Sequence, residues 1–291
     1  MKVHPWPGNR KRERPRIGTL SVSEGPRLST ELRCGAGWYP AQRLSIAALY
    51  DIHGNLPALE AVLDEIHQLD VDQIVIGGDV LPGPMPRDTL KRLQHLELPT
   101  HFLYGNGEIA VLEQKSGCIP SAVPEPYRPV IQWTAEQLDD SHARLLATWP
   151  PRIRLEIAGL GSVLFCHATP RNENELFTKL TPEPRLLAVF ENISPSVVVC
   201  GHTHMQFDRT VGNIRVMNAG SIGMPFGEPG AHWLLLGPDI QFRHTYYDLA
   251  KAAERVRATE YPQAEQFAAT NILHPPSEAE MLELFAPAEL K

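Results

Sequence analysis

Leu44-Ser-Ile-Ala-Ala-Leu-Tyr-Asp51-Ile-His53-Gly-Asn55 is the stretch from which the rest of the chain is read. Leu44 to Tyr50 is a short apolar run with the length and bounding of a buried parallel strand. The run stops at Asp51-x-His53, passes Gly54-Asn55 and gives way to a helical pattern from Leu56-Pro57. Proline just inside a helix start is favoured, because its missing N–H would be unpaired there anyway. A carboxylate and an imidazole therefore sit two residues apart where a strand ends and a helix begins. In open α/β sheets that edge is where ligands bind. Carboxylate plus imidazole suits a divalent transition metal rather than calcium or magnesium alone. A single Asp-x-His pair carries little weight until other ligands turn up at equivalent places.

Working outward, the strand-then-helix order repeats. A helical pattern near 56–69 places Leu56, Leu59, Val62, Leu63 and Ile66 on one face. Gln73-Ile-Val-Ile76 then runs into Gly77-Gly78-Asp79, and a Pro-rich loop leads to a helix near 87–96. His101-Phe-Leu-Tyr104 ends in Gly105-Asn106-Gly107-Glu108. This alternation predicts a parallel sheet covered by helices. Residues 109–150 read as a mainly helical insert. Beyond Pro150-Pro151 the pattern becomes a hairpin, 152–157 and 162–166, ending at His167. A helix near 183–192 precedes Ser196-Val-Val-Val-Cys200 and then Gly201-His202-Thr203-His204. Short strands are expected at 206–211, 213–218, 232–236 and 240–246, then a helix near 247–258. In the Pro-punctuated helical tail, Ser277-x-x-Glu280 predicts a capping box.

Composition narrows the classes. A chain of 291 residues, 43% hydrophobic, holds an ample core. It has no apolar run of about 18 residues, so no transmembrane helix is expected, and its basic N-terminus lacks the apolar centre of a secretory signal. Cys34, Cys118, Cys166 and Cys200 form no CxxC pair; Cys166 and Cys200 end apolar runs and read as reduced core residues, which fits the cytoplasm. Residues 1–43 carry nine basic and three acidic side chains (+6), against 18 basic and 31 acidic in the remainder (−13). Residues 1–42 read as a disordered basic extension, and 43–291 as one domain. The acidic body argues against a broad nucleic-acid-binding face.

Five strand ends now carry polar residues: Asp51/His53, Asp79, Asn106, His167 and His202/His204. Any one of them is an ordinary loop residue; five in order, each at a strand terminus, are not a chance pattern. In that order, Asp51-x-His53, Gly78-Asp79, Gly105-Asn106, His167 and Gly201-His202-x-His204 resemble the calcineurin-like metallophosphoesterase superfamily. Asp51-Ile-His-Gly-Asn-Leu56, Cys166-His-Ala-Thr-Pro170 and Asn218-Ala-Gly-Ser221 are most similar to its small prokaryotic phosphoesterases. The resemblance covers about residues 44–246. It implies an α/β fold, a four-layer α/β/β/α sandwich of two mixed sheets with two metals at one edge. It further implies that Asp51, His53 and His204 bind one ion and Asn106, His167 and His202 the other, with Asp79 bridging. Asp79, Asn106 and His202 are the implied catalytic members. Two divalent ions about 3.5–4 Å apart clamp phosphoryl oxygens and acidify a bridging water to hydroxide. Manganese, iron, cobalt, nickel and zinc all suit such mixed donors.

The expected activity is hydrolysis of a small phosphate ester, a phosphodiester or nucleotide-type substrate first. A phosphomonoester or phosphoprotein is the alternative, and a metal-binding regulatory scaffold without turnover is a reading from another class. Neither nucleic acid nor a membrane is an expected partner, and the apolar C-terminal segments leave a homo-oligomer open. One departure stands out: many relatives have a histidine, the proposed proton donor to the leaving group, where this chain has Gly107. Glu108 reads first as a solvated acid at a helix start, with orientation of a ligand as its alternative. Arg171 is a candidate phosphate contact. Asn55 is either a substrate-orienting residue or a turn residue. Met224-Pro-Phe226 reads as a loop anchor, and Asn218-Ala-Gly-Ser221 as backbone shaping near the metals.

Overall fold

A computed structural model describes residues 44–120 and 122–290; the extension expected over residues 1–42 lies outside them. In chain order the first half contains β1 (Ile46–Leu49), α1 (Leu56–Ile66), β2 (Gln73–Ile76), α2 (Pro86–Gln94) and β3 (Thr100–Phe102). The helices α3 (Asn106–Lys115), α4 (Arg128–Gln137) and α5 (Asp140–Ala147) follow. Next come β4 (Arg152–Ile157), β5 (Gly161–Cys166), α6 (Glu183–Phe190) and β6 (Val197–Cys200). The chain then forms β7 (Phe207–Val211), β8 (Ile214–Asn218), β9 (Ala231–Leu236) and β10 (Ile240–Thr245). Last are α7 (Leu249–Arg257), α8 (Ala264–Phe267), a π turn over Ala268–Leu273, and α9 (Glu278–Phe285).

The strands build two five-stranded sheets, ordered β10-β9-β1-β2-β3 and β4-β5-β6-β8-β7. β1, β2 and β3 run parallel, as do β5, β6 and β8; β9 and β10 in the first sheet and β4 and β7 in the second pair antiparallel, so both sheets are mixed. Strand periodicity explains the layering, because successive side chains point to opposite faces. Ala47, Leu49, Ile74, Ile76 and Trp233 pack under α1–α4 and α7. Their neighbours Ile46, Ala48, Val75 and Leu234 face Val163, Phe165, Val197, Val199 and Met217 of the second sheet. Leu164, Cys166, Val198, Cys200 and Val216 turn outward onto α6, beside Leu186 and Phe190. Three apolar seams thus bind four layers, α/β/β/α. Among the described residues no helix is long and apolar enough to cross a membrane.

Two local expectations are corrected. The third strand ends at Phe102 rather than Tyr104, and the helical region begins at Asn106 rather than beyond Glu108. Glu108, third residue of α3, accepts the Gly105 N–H at 2.7 Å and closes that helix start. The helix and π turn over 264–273 have no periodic signature long enough to read, yet they bury Phe267, Ala268 and Ile272 against the first sheet's helices. In the tail, the Ser277–Glu280 capping box forms: the Ser277 side chain accepts the Glu280 N–H, and Glu280 accepts the Ser277 N–H.

Candidate metal centre

Every proposed ligand follows the C-terminal end of a strand that runs parallel to its neighbour: β1, β2, β3, β5 or β6. The two sheets stack so that these ends share one edge. There Asp51, His53 and His204 present donor atoms all within 4.8 Å of one another, and Asp79, His167 and His202 form a second such group. Asn106 joins the second group, its Oδ1 lying 2.9 Å from His167 Nε2. Asp79 faces both groups, with Oδ2 3.7 Å from His53 Nε2 and Oδ1 3.5 Å from His167 Nε2. Asp51 Oδ1 is 3.4 Å from His204 Nε2 and 3.9 Å from the Nε2 atoms of both His53 and His167.

The backbone is bent to achieve this. Asp51, His53, Asp79, His202 and His204 all adopt positive φ, between 47° and 69°, and they are the only non-glycine residues among those described to do so. This left-handed region costs an L-residue about 1–3 kcal/mol and persists only where the surroundings over-determine it. Peptide hydrogen bonds supply that constraint: Asp51 N–H to Gly78 O, His53 N–H to Asp79 O and Gly54 N–H to Val80 O lace the first two ligand loops together. The His202 N–H donates to Asp51 Oδ2 at 2.8 Å, tying the second sheet to the first.

The donor chemistry fits cations. His53, His167 and His204 each turn Nδ1 to a backbone carbonyl, of Pro82, Gly77 and Met224, at 3.3, 3.0 and 2.8 Å. With the hydrogen on Nδ1, the Nε2 lone pairs of His53 and His204 point into the centre. His53 Nε2 and His204 Nε2 then face each other at 3.2 Å as two acceptors. Asp51 Oδ1 and His202 Nε2 are buried there without any hydrogen-bond partner. Buried polar atoms are rarely left so, and a shared cation resolves the conflict. Burial, with neighbouring imidazoles, pushes His53 down to about 4 and His202 down to about 3, so both are neutral ligands at neutral pH. Burial works against ionised Asp51 and Asp79. For Asp51 the His204 and His167 rings outweigh it, and for Asp79 His167 and His53 do, holding both carboxyls below their ordinary range. Burial also opposes charge on His167, but Asp79 and Asp51 hold that ring up to about 10. In the metal-free centre a proton on His167 therefore bonds Asn106 Oδ1, and the ring must shed it before it ligates a cation.

Around the ligands, several expectations change. Glu108 is wholly buried, not solvated: it accepts N–H bonds from Asp79 (2.9 Å), Leu81 (2.9 Å) and Gly105 (2.7 Å), so it orients the peptides that carry Asp79 and Asn106. Burial and the nearby Asp79 carboxylate push it up to about 7. Gly107 is more than a vacancy: its N–H donates to Asp79 Oδ1 at 2.7 Å, and a Cβ would be driven into the Leu81 carbonyl oxygen. Asn55, offered as a substrate contact, is buried and caps α1; it accepts the Ala58 N–H at 3.3 Å and donates to Gly223 O and Tyr247 Oη. Its hydrogen-bonding groups are committed, and the turn reading is the one the geometry supports.

Arg171 lies at the mouth of the site. Its Nε donates to both Glu175 oxygens, at 2.7 and 2.9 Å. With Tyr104, Arg152, His167 and Asn172 it lines a cleft of about 320 Å³. The sequence pattern did not single out Tyr104 and Arg152, because one follows a strand and the other opens one, with no motif around them. It also passed over Gln206, whose Nε2 donates to the carbonyls of Ala219, Trp233 and Arg243 and so stitches the sheets together behind His204. Asn218 donates to Gly201 O at 2.6 Å and to Thr203 Oγ1 at 3.0 Å, bracing the loop that bears His202 and His204. An apolar cleft of about 170 Å³ between α2, β3 and α5, lined by Leu90, Phe102 and Trp149, contains none of the ligands.

Comparison with known proteins agrees with this architecture. The sequence model of the calcineurin-like phosphoesterase superfamily domain matches residues 44–238. An uncharacterized protein of Methanocaldococcus jannaschii is 26% identical over 245 residues, 75% of this chain and 94% of that protein. The crystal structure of a hypothetical protein from Pyrococcus horikoshii superposes with a TM-score of 0.68 at 18% identity, covering 80% of this chain and all of the other. That of a metallophosphoesterase from Sphaerobacter thermophilus gives 0.61 at 24% identity, covering 79% of this chain and all of the other. These two likenesses concern the fold.

Proposed function

The chain belongs to the calcineurin-like phosphoesterase superfamily, and from that premise we propose that it hydrolyses phosphate esters with two divalent ions. The observation that carries the reading is the meeting of His53 Nε2 and His204 Nε2 as facing acceptors at 3.2 Å, beside partnerless Asp51 Oδ1. Asp51, His53 and His204 would hold one ion, Asn106, His167 and His202 the other, and Asp79 would serve both. Bound divalent ions supply Lewis acidity toward phosphoryl oxygens and a water acidic enough to deprotonate near neutral pH.

The chain's own residues do the rest. Asp51 and Asp79 stay ionised and provide the negative charge that retains the cations. The Nδ1 hydrogen bonds aim the Nε2 atoms of His53, His167 and His204 at the centre, and Glu108 and Gly107 hold Asp79 from behind. Arg171 and Arg152 border the cleft by which a substrate reaches His167. No side chain can project from Gly107, so no imidazole stands there to protonate a leaving oxygen. That favours phosphodiesters or nucleotide-type esters with good leaving groups over alkyl monoesters, whose departing oxygens need a proton most.

The test strips the protein of metal and restores manganese, nickel, cobalt, iron or zinc. Hydrolysis of bis(p-nitrophenyl) phosphate and p-nitrophenyl phosphate is then followed. Metal-restored cleavage favouring the diester is expected, and Asp79→Ala should lose both ions and the activity. Preference for the monoester would move the substrate class. Two bound ions with no cleavage of either ester would favour a regulatory scaffold instead.

A further inference from the structure

The C-terminal segment, residues 276–290, lies beyond the matched residues 44–238 and yet reaches the metal centre. His53 and His167 lean on the carbonyls of Pro82 and Gly77, both in the β2 region of the first sheet. His204 leans instead on Met224 O at 2.8 Å, in the loop between β8 and β9. The next aromatic residue of that loop, Phe226, stacks on the His204 ring, with centroids 5.3 Å apart and planes inclined by 23°. Phe226 is in turn backed by Phe285 of α9 at 6.0 Å.

The same loop is held from two sides. Ser221 Oγ accepts the Met224 N–H at 2.8 Å, and Tyr246 donates to Glu228 at 3.0 Å. From the C-terminal side, the Gly227 N–H donates to Pro276 O at 2.8 Å. Both ends of the segment are also anchored on the loop after His167: at the far end the Leu290 N–H donates to Leu176 O and Thr178 Oγ1 donates to Glu289 at 2.5 Å, and at the near end Lys179 pairs with Glu278. Residues 276–290 therefore run as a strap between the loop that follows ligand strand β5 and the loop between β8 and β9. Its one aromatic contact with the centre passes through Phe226 to His204.

We propose that Phe285 is a positioning residue for His204, and that the C-terminal strap sets the affinity of the Asp51/His53/His204 ion without setting that of the Asn106/His167/His202 ion. An imidazole ring has one torsional freedom that its Nδ1 bond does not fully remove; a stacked neighbour fixes the ring plane, and so the direction of the Nε2 lone pair. Removing the Phe285 ring leaves Phe226 free to tilt, and His204 tilts with it. His167 and His202 share no contact with Phe226 or Phe285, so their half of the centre keeps its geometry. The inference rests on the two-ion reading given above.

The experiment compares the parent chain with Phe285→Ala, Phe285→Tyr and Leu93→Ala. Leu93 is a buried residue of α2 in the outer seam of the first sheet, a cluster that includes no residue of the strap, so its truncation lowers stability without touching the strap. Metal-free protein is titrated with manganese and the two binding steps are resolved by calorimetry. In parallel, exchange of the His204 and His167 Nδ1–H protons with water is followed by NMR on metal-free protein. Phe285→Ala should weaken one step at least tenfold and leave the other within twofold. It should also speed exchange at His204 at least tenfold while sparing His167. Phe285→Tyr should restore both, and Leu93→Ala should leave both steps unchanged. Equal weakening of the two steps, or no change at His204, overturns the proposal. A parent chain that takes up fewer than two ions would instead count against the two-ion reading, and the His204 proton would still decide whether Phe285 positions that ring.

Discussion

Gly107→Ala introduces a single methyl group and should disturb the whole centre. A Cβ at this position would approach the Leu81 carbonyl oxygen far more closely than the 3.0 Å below which real Cβ atoms are essentially never found, and would sit 3.0 Å from Asp79 Oδ1. The Leu81 obstacle is backbone rather than the flexible end of a side chain, so α3 or the loop after β2 must move. Overpacking of this kind costs about 1–3 kcal/mol. The shift also stretches the Gly107 N–H bond to the Asp79 carboxylate, now 2.7 Å, and a hydrogen bond to a charged group contributes about 1.5–3 kcal/mol. The combined loss is about 4 kcal/mol, with a Tm decrease of about 2–4 °C per kcal/mol in a domain of this size. Differential scanning calorimetry of the metal-free protein should therefore show a fall on the order of 10 °C, and manganese titration should show weakened binding, because Asp79 is shared. Gly107→His should suffer the same collision and should not gain activity toward alkyl phosphomonoesters. A Gly107→Ala protein with parental Tm and both metal affinities intact would refute the steric reasoning.

Two further substitutions separate support from contact. Glu108→Gln keeps one acceptor but turns an NH₂ toward at least one of three backbone N–H groups; that removes a charged acceptor and leaves a buried donor unpaired, a loss of about 2–4 kcal/mol. Its Tm should fall and both manganese steps should weaken, whereas a purely surface role would leave the titration unchanged. Asn55→Ala removes the α1 cap, about 1 kcal/mol, and the bond to Gly223 O, about 1 kcal/mol. A lower Tm with the KM for bis(p-nitrophenyl) phosphate held within twofold is expected; a raised KM at unchanged Tm would return Asn55 to substrate binding.

The order of elements up to residue 258 and the candidates for the seven ligand positions are local properties, legible in the sequence. Apolar runs of four to six residues that stop at Asp, Asn or His mark strand ends, and a strand end in a parallel sheet is an edge where ligands gather. What surrounds the ligands was decided by the tertiary structure. Asn55 was readable as a substrate-orienting or a turn residue and Arg171 as a candidate phosphate contact; contact with Gly223, 168 positions along the chain, made Asn55 a cap and brace. Glu108 read as a solvated helix-start acid because nothing in its neighbours announces that the Asp79 loop folds over it. Gly107 read as a missing histidine, yet the Leu81 carbonyl shows that the backbone leaves no space for any side chain. The hold of Phe285 on His204, 81 residues apart through Phe226, has no local signature either. Strand ends and donor atoms are set by short-range pattern; orientation, burial and packing are set by residues that meet only when the two sheets close on each other.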